Sequence, residues 1–236
     1  MSHAAKLRFT PISPFVKSGS LSGGSMSDTS PTSPTFDHRT TRRFAVRLQL
    51  LQTLPPGGIV AEVRVFKGRF SRRILDLDIV GPQRLHLIDP WVHQELPLWK
   101  ERNDENHLDF LIEVQGSLQL KIASRRVIVH QGFSLDVLEL FPDHCFDWVY
   151  LDGDHRYEKV RAEQTLCDRK VKLNGLILGH DYIKPELYPP SHHARLGVVF
   201  TVRDFCTLGT WKFVLQTPRG SKQCPTFVLR RRSLEF

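Results

Sequence analysis

Phe146-Asp147-Trp148-Val149-Tyr150-Leu151 runs into Asp152-Gly153-Asp154-His155, and after a charged segment Leu176-Ile177-Leu178 runs into Gly179-His180-Asp181-Tyr182. A short apolar and aromatic run bounded by turn residues is what a sheet strand covered on both faces looks like. Asp147 to Leu151 is therefore predicted as a buried strand with three ionisable groups, Asp152, Asp154 and His155, just past its carboxyl end. From Tyr157 to Val171 the apolar residues Val160, Ala162, Leu166, Cys167 and Val171 fall near helical spacing among charged ones, and Asn174-Gly175 offers a left-handed stop for that helix. Leu176 to Leu178 makes the next strand. A strand, a crossover helix and a second strand place the two strands parallel in one sheet by the right-handed crossover rule. Their carboxyl ends then share an edge. That gathers Asp152, Asp154, His155, His180 and Asp181 into the crevice where open α/β sheets bind ligands.

The rest of the composition narrows the class of function. With 236 residues, 40% hydrophobic and 25% charged, the chain can bury one full-sized core and carry a tail. No apolar run is long enough to span a bilayer, so no membrane partner and a soluble, cytoplasmic location are expected. The four cysteines, Cys145, Cys167, Cys206 and Cys224, form no C-x-x-C pair, which argues against a structural zinc site or a disulfide framework and for a reducing compartment. A formal net charge of +8 suits an acidic partner. However, basic residues are adjacent only at Arg42-Arg43, Arg72-Arg73, Arg125-Arg126 and Arg230-Arg231-Arg232, and no aromatic-basic stacking motif accompanies them. Nucleic acid is disfavoured as a partner. A small-molecule substrate is expected, and a homo-oligomer is left open.

Residues 1–38 are rich in serine, threonine, proline and glycine without apolar periodicity, and such a segment cannot bury enough surface to offset its ordering entropy. A disordered leader is predicted there, followed by a single domain over 39–236. Phe44, Val46, Leu48, Leu50, Leu51 and Leu54 fit a helix that Pro55-Pro56-Gly57-Gly58 ends. Ile59 to Val63 is the first core strand, leading through Arg64-Val65-Phe66-Lys67-Gly68 into a helix from Phe70 to Leu77. A strand, a tight turn and a helix N-terminus form the cofactor loop of nucleotide-binding α/β folds. Arg84 to Asp89 is the second strand, and its terminal carboxylate either accepts hydrogen bonds from a ribose or caps the turn at Pro90. One helix is expected after Pro97. Val127 to His130 is the third strand, followed by the turn Gln131-Gly132-Phe133-Ser134 and a short helix from Leu135 to Phe141. Tyr182 to Leu196, rich in proline and histidine, reads as a loop over the site, the kind of segment that carries substrate choice. His192 and His193 are adjacent there and are either solvated or contact a ligand. Gly197 to Phe205 is a helix. Trp211 to Leu215 and Thr226 to Leu229 are expected to pair as a hairpin.

The stretch Asp152-Gly153-Asp154-His155, Tyr157-Glu158, Val160 and Lys172 to Tyr182 resembles the class I S-adenosylmethionine-dependent methyltransferases, in particular the type 24 branch that includes sugar and antibiotic O-methyltransferases. In that branch a proline-glycine-glycine turn precedes Gly-His-Asp-Tyr, and Asn174-Gly175 here is one residue shorter. The likeness extends more weakly from Ile59 to the C-terminus. It implies an α/β fold, a doubly wound, mostly parallel seven-stranded sheet of Rossmann-like methyltransferase type with a C-terminal antiparallel hairpin. It also implies S-adenosylmethionine as cofactor, contacted by Glu62, Arg64, Gly68, Asp89, Gln131, Ser134 and Asp152. The family's cofactor loop reads Glu-x-Gly-x-x-x-Gly. This chain has Glu62 and Gly68, but Arg64 stands where the first glycine belongs. A side chain there either points out of the pocket or occupies the space of the cofactor's amino acid.

Metal-using members of that branch ligate through the first aspartate of Asp-Gly-Asp and the acidic pair after the next strand. Asp152, His180 and Asp181 are the corresponding candidates for magnesium or another divalent cation, with His180 better suited to manganese, iron or zinc. A hydroxyl substrate bound there would lose its proton to Asp154 or His155 as general base, and the alkoxide would attack the sulfonium methyl in line. The expected function is O-methylation of a sugar or other polyol. The alternatives are a catalytically inactive methyltransferase-like binding domain, disabled at Arg64, and a metallohydrolase built on Asp-x-Asp-His with a later His-Asp. The hydrolase would have no use for Glu62, Gly68 and Asp89.

Overall fold

Trp148 and Tyr150 face one side of the strand Phe146–Leu151 and Val149 and Leu151 face the other, and all four are buried. A strand covered on both faces belongs to the middle of a sheet with helices on either side. The structure, a computed structural model, describes residues 45–76, 81–92, 106–183, 197–207, 209–219 and 224–232. The predicted leader and His192 and His193 lie outside these residues. Along the chain the elements are α1 (Ala45–Gln52), β1 (Ile59–Val63), α2 (Arg69–Leu75), β2 (Arg84–Asp89), α3 (His107–Ser117), α4 (Gln119–Ala123), β3 (Val127–Gln131), α5 (Ser134–Glu139), β4 (Phe146–Leu151), α6 (Tyr157–Lys170), β5 (Val171–Gly179), α7 (Gly197–Thr207), β6 (Trp211–Gln216) and β7 (Phe227–Arg231).

The strands form one seven-stranded sheet in the order β3-β2-β1-β4-β5-β7-β6. β3, β2, β1, β4 and β5 run parallel, and β7 pairs antiparallel with both β5 and β6. One face packs Val60, Leu85, Leu87, Trp148, Tyr150 and Leu178 against Leu50 and Leu51 of α1, Phe70 and Ile74 of α2 and Val114 of α3. The other packs Ala61, Val149, Leu151 and Ile177 against Val137 and Leu138 of α5, Val160 and Cys167 of α6 and Val198 and Val202 of α7. Each fully buried large side chain contributes roughly 1.5–3 kcal/mol by leaving water. The chain leaves β1 toward β2 on one side and reaches β4 on the other, so the strand order reverses between β1 and β4, which is where a ligand crevice opens in such sheets.

Two expectations are corrected. The stretch between β2 and β3 holds two helices, α3 and α4, where one was expected, because the first ends at Leu118 and the second starts from it. Asn174-Gly175 does not cap the helix; α6 ends at Val171, whose backbone is extended and whose N–H bonds to Cys167 O. Residues 171–175 instead open β5 through a bulge, because Phe146 pairs with Val171 whereas Trp148 pairs with Leu176. A Cβ on Gly175 would stand 2.6 Å from Val171 Cγ1 and 2.8 Å from the Asp147 carbonyl oxygen. Close backbone approach, and not a left-handed turn, is what demands the glycine. Lys172 Nζ donates to both oxygens of Asp147, at 2.8 and 2.9 Å, and Asp147 Oδ2 also accepts from Ile59 N at 2.7 Å, which ties the bulge to the start of β1.

Candidate active site

The loop after β1 is built on positive φ angles: Arg64 at 70°, Phe66 at 55° and Gly68 at 64°. Arg64 thus holds the left-handed conformation that glycine favours, at a cost to an L-residue of roughly 1–2 kcal/mol. Backbone bonds fix it there, with Arg64 N on Ile88 O at 2.9 Å and Gly68 N on Val65 O at 2.9 Å. The guanidinium is near enough for its charge to bear on Asp154, His155 and Glu163. Its reach is toward the loop after β4.

Asp89, at the end of β2, is 5% exposed. Its Oδ2 accepts from Phe66 N at 2.9 Å and its Oδ1 from Trp91 N at 2.8 Å, while the Trp91 indole donates to Phe66 O at 2.9 Å. The carboxylate therefore closes a turn and binds the first loop to the second; each oxygen keeps a lone pair that a ribose hydroxyl could use. Gln131 ends β3 beside Asp89 and is exposed. Ser134 is engaged elsewhere, donating to Glu163 Oε1 at 2.6 Å. Glu62 is 2% exposed; burial, only partly offset by the nearby Ser71 hydroxyl and Arg47 charge, pushes its carboxyl up to about 8.

The ends of β4 and β5 meet as the sequence predicts. His155 Nδ1 stands 3.1 Å from Asp181 Oδ2, and its Nε2 is 3.7 Å from Asp152 Oδ1. His180 Nδ1 is 3.0 Å from Asp181 Oδ1 and 3.3 Å from Asp152 Oδ1. Burial works against a charged His155, but Asp152 and Asp181 prevail and hold its pKa above the ordinary histidine value. Burial likewise opposes a charged Asp152, and His180, His155 and Arg47 outweigh it, keeping the carboxyl below the usual range. Asp154 is placed differently. Burial is again overcome, here by Arg156, whose backbone N donates to Asp154 Oδ1 at 3.0 Å and whose guanidinium forks onto both oxygens. A carboxylate so held and so readily ionised is a poor proton acceptor, which leaves His155 the better base.

Sequence reasoning missed three participants. Arg47, 5% exposed on α1, lies over the rings of Phe70 and Tyr150 at 5.0 and 5.6 Å and brings Nη1 to 4.0 Å from Asp152 Oδ2. Glu163, 5% exposed on α6, sits under Gly153, where a Cβ would come 2.8 Å from Glu163 Oε1, and burial pushes its pKa up to about 7. Both were legible in principle. Arg47 shares helical spacing with Leu50, Leu51 and Leu54, and Glu163 with Val160 and Cys167, so each charge interrupts an apolar stripe. Cys224 precedes β7 and carries no such signal; burial and the neighbouring Asp181 push its thiol up to about 12.

The residues fit S-adenosylmethionine as far as the backbone goes. Arg64 keeps the left-handed course of a glycine loop, and Gly153 lies so close to Glu163 that a side chain there would displace it. They do not suit magnesium. A histidine nitrogen stands against each of the two carboxylates, so the oxygen-rich shell a hard cation needs is not formed.

Residues 61–182 match the methyltransferase domain family. No curated protein matches the chain. Among solved structures, a protein of Corynebacterium glutamicum is similar at 15% identity and a TM-score of 0.56, covering 84% of this chain and 82% of the other. The O-methyltransferase TomG of Streptomyces achromogenes, involved in tomaymycin synthesis and solved in complex with SAM, is similar at 16% identity and a TM-score of 0.53, covering 80% and 78%. Among the described residues no helix is long and apolar enough to cross a membrane. With the strand order, the reversal at β1 and β4 and more than half of the sequence in agreement, the chain belongs to the methyltransferase domain family and is a class I S-adenosylmethionine-dependent methyltransferase.

Proposed function

We propose that the domain methylates a hydroxyl oxygen of a small molecule, a sugar or other polyol, with His155 as general base. The observation that carries this reading is the His155–Asp181 pair, 3.1 Å apart at the ends of neighbouring strands and beside the loop after β1. Bound S-adenosylmethionine supplies a sulfonium whose methyl carbon accepts an electron pair in line. Asp181 fixes the His155 ring through Nδ1, and the ring takes the hydroxyl proton as the oxygen attacks. Asp152, held ionised by His180, His155 and Arg47, sustains the positive charge that develops on the imidazole. Arg156 keeps Asp154 out of proton transfer and fixes the turn that carries His155.

The likeness to TomG, an O-methyltransferase, supports oxygen as the acceptor atom. The inactive-domain alternative requires the Arg64 side chain to fill the cofactor's place, whereas the left-handed φ at Arg64 favours a functional loop. The metallohydrolase reading loses its ground, since fold and family are those of methyltransferases. The test is single-turnover methyl transfer to a panel of polyols with radiolabelled cofactor. His155→Ala is expected to lower the rate about 10²–10⁴-fold with calorimetric cofactor binding retained. Full activity in that variant would sink the assignment.

A further inference from the structure

Cys224 has no task in the chemistry above, yet it stands at the edge of the same cluster. One ring nitrogen of His180, one carboxylate oxygen of Asp181 and Cys224 Sγ lie within 4.8 Å of one another. A second observation points the same way. Asp181 is only 8% exposed, and its Oδ1, 3.0 Å from His180 Nδ1, makes no hydrogen bond of good geometry; the His180 Nε2 atom is likewise buried and without a hydrogen-bond partner. A buried acceptor left unpaired costs roughly 1–3 kcal/mol, so donor atoms that converge without hydrogen-bond partners are under pressure to find an acid. The cysteine can offer Asp181 a single proton. A cation answers all three groups at once.

We propose that His180, Asp181 and Cys224 form a three-ligand site for a borderline-soft divalent cation, zinc by the chemistry of its donors, with a fourth position open. Nitrogen, oxygen and sulfur together are a set that zinc accepts and magnesium does not. Ligands about 2.0–2.3 Å from a tetrahedral ion lie about 3.5 Å from one another. The three atoms here lie within 4.8 Å of one another, so an inward movement of the side chains completes the set. On binding, the Cys224 S–H bond breaks, its proton leaves to solvent and the metal–sulfur bond forms, with no change of oxidation state. Asp152 becomes a positioning residue: its Oδ1, 3.3 Å from His180 Nδ1, holds that ring from outside the ligand set.

The open position adjoins His155 through Asp181, so a substrate oxygen bound there would meet the base; this use rests on the methyl-transfer reading, while the site itself does not. The experiment uses the full chain, reduced and stripped with chelator, titrated with cobalt(II) alone as a spectroscopic probe and then with zinc. The expected result is one equivalent of cobalt with a thiolate charge-transfer band in the near ultraviolet and the visible bands of a four-coordinate ion, displaced by zinc and not by magnesium. Cys224→Ser loses the charge-transfer band, Cys206→Ser keeps it, and Asp152→Asn weakens zinc about 10–100-fold. Should Cys224→Ser fail to fold, His180→Ala serves as the second ligand variant. A wild-type protein without the band, a band that survives in Cys224→Ser, or equal competition by magnesium overturns the site. Cofactor binding is measured calorimetrically on the same metal-free sample. Binding without a cobalt band refutes the metal site alone, and a band without cofactor binding refutes the methyl-transfer reading alone.

Discussion

Arg64 pays a conformational cost where glycine would not, and its charge reaches Asp154, His155 and Glu163. Arg64→Gly removes the left-handed strain of roughly 1–2 kcal/mol but adds unfolded-state entropy worth up to roughly 1 kcal/mol. The melting temperature is therefore expected to hold or rise slightly, and cofactor binding to be retained, since the side chain reaches toward the loop after β4 and not into the cofactor's place. Arg64→Val, β-branched at positive φ, should lose stability instead; calorimetry and thermal melts on the pair decide. Glu163 makes a second residue-scale prediction. Its folded pKa of about 7 lies above the ordinary carboxyl value, so between those values the folded state binds more protons than the unfolded one. Its contribution to stability is therefore present at low pH and is lost as pH rises through 7. Glu163→Gln, which can keep the Ser134 bond, should be more stable than wild type at pH 8, by at most about 3 kcal/mol, and no more stable at pH 4. Urea midpoints at the two pH values measure it.

At the scale of elements, the bulge that opens β5 sets the register of the site. Pairing resumes at Trp148 with Leu176 and continues to Leu151 with Gly179, which delivers His180 and Asp181 beside Asp152. A slip of one residue would turn both side chains to the wrong face. Gly175→Ala forces a methyl against the Asp147 carbonyl and Val171, and is expected to cost about 1–3 kcal/mol. Because the strain falls on register, methyl transfer should fall with it while cofactor contacts on β1 and β2 persist. Unchanged urea stability and unchanged turnover would show that the bulge has no such role. Lys172→Ala, which removes only a half-exposed ion pair with Asp147, should cost less than about 1 kcal/mol.

The whole molecule carries opposed titrations on neighbouring strands. His86 on β2 stacks on His130 of β3, with Nδ1 2.9 Å from His130 Nε2 and the ring edge of Phe141 nearby. Burial, with the charges of His130 and Arg84, pushes its pKa down to about 4. Below the ordinary histidine value the unfolded chain binds the proton and the folded one does not, so stability falls as pH drops from about 6.5 toward 4. Glu62, pushed up to about 8, acts in the opposite sense, losing stability as pH rises from the ordinary carboxyl value to 8. Between pH 6.5 and 8 the buried carboxyls act without that opposition, and stability should decline. His86→Leu should flatten the acid side and Glu62→Gln the alkaline side, each leaving the other limb in place. Thermal melts of both variants from pH 4 to 9 would show a failure as limbs that move together.

The strands β1, β2 and β3 and the meeting of His155 with His180 and Asp181 were legible in the chain, because periodicity, turn residues and crossover handedness are local or nearly local properties. The identity of Asn174-Gly175 as a bulge was not, since the atoms that demand glycine there belong to Asp147 and Val171 and not to the helix before it. The roles of Asp154, Ser134 and Asp89 also waited on tertiary structure. Their hydrogen-bond partners, Arg156, Glu163 and the Phe66 and Trp91 amides, were chosen by packing. Cys224 shows the limit most plainly. It lies far from Asp181 in sequence, and only the antiparallel return of β7 onto β5 brings its sulfur to the site. Sequence patterns specify which face of an element is apolar; which polar atoms then meet across elements depends on distances that exist only once the sheet has formed.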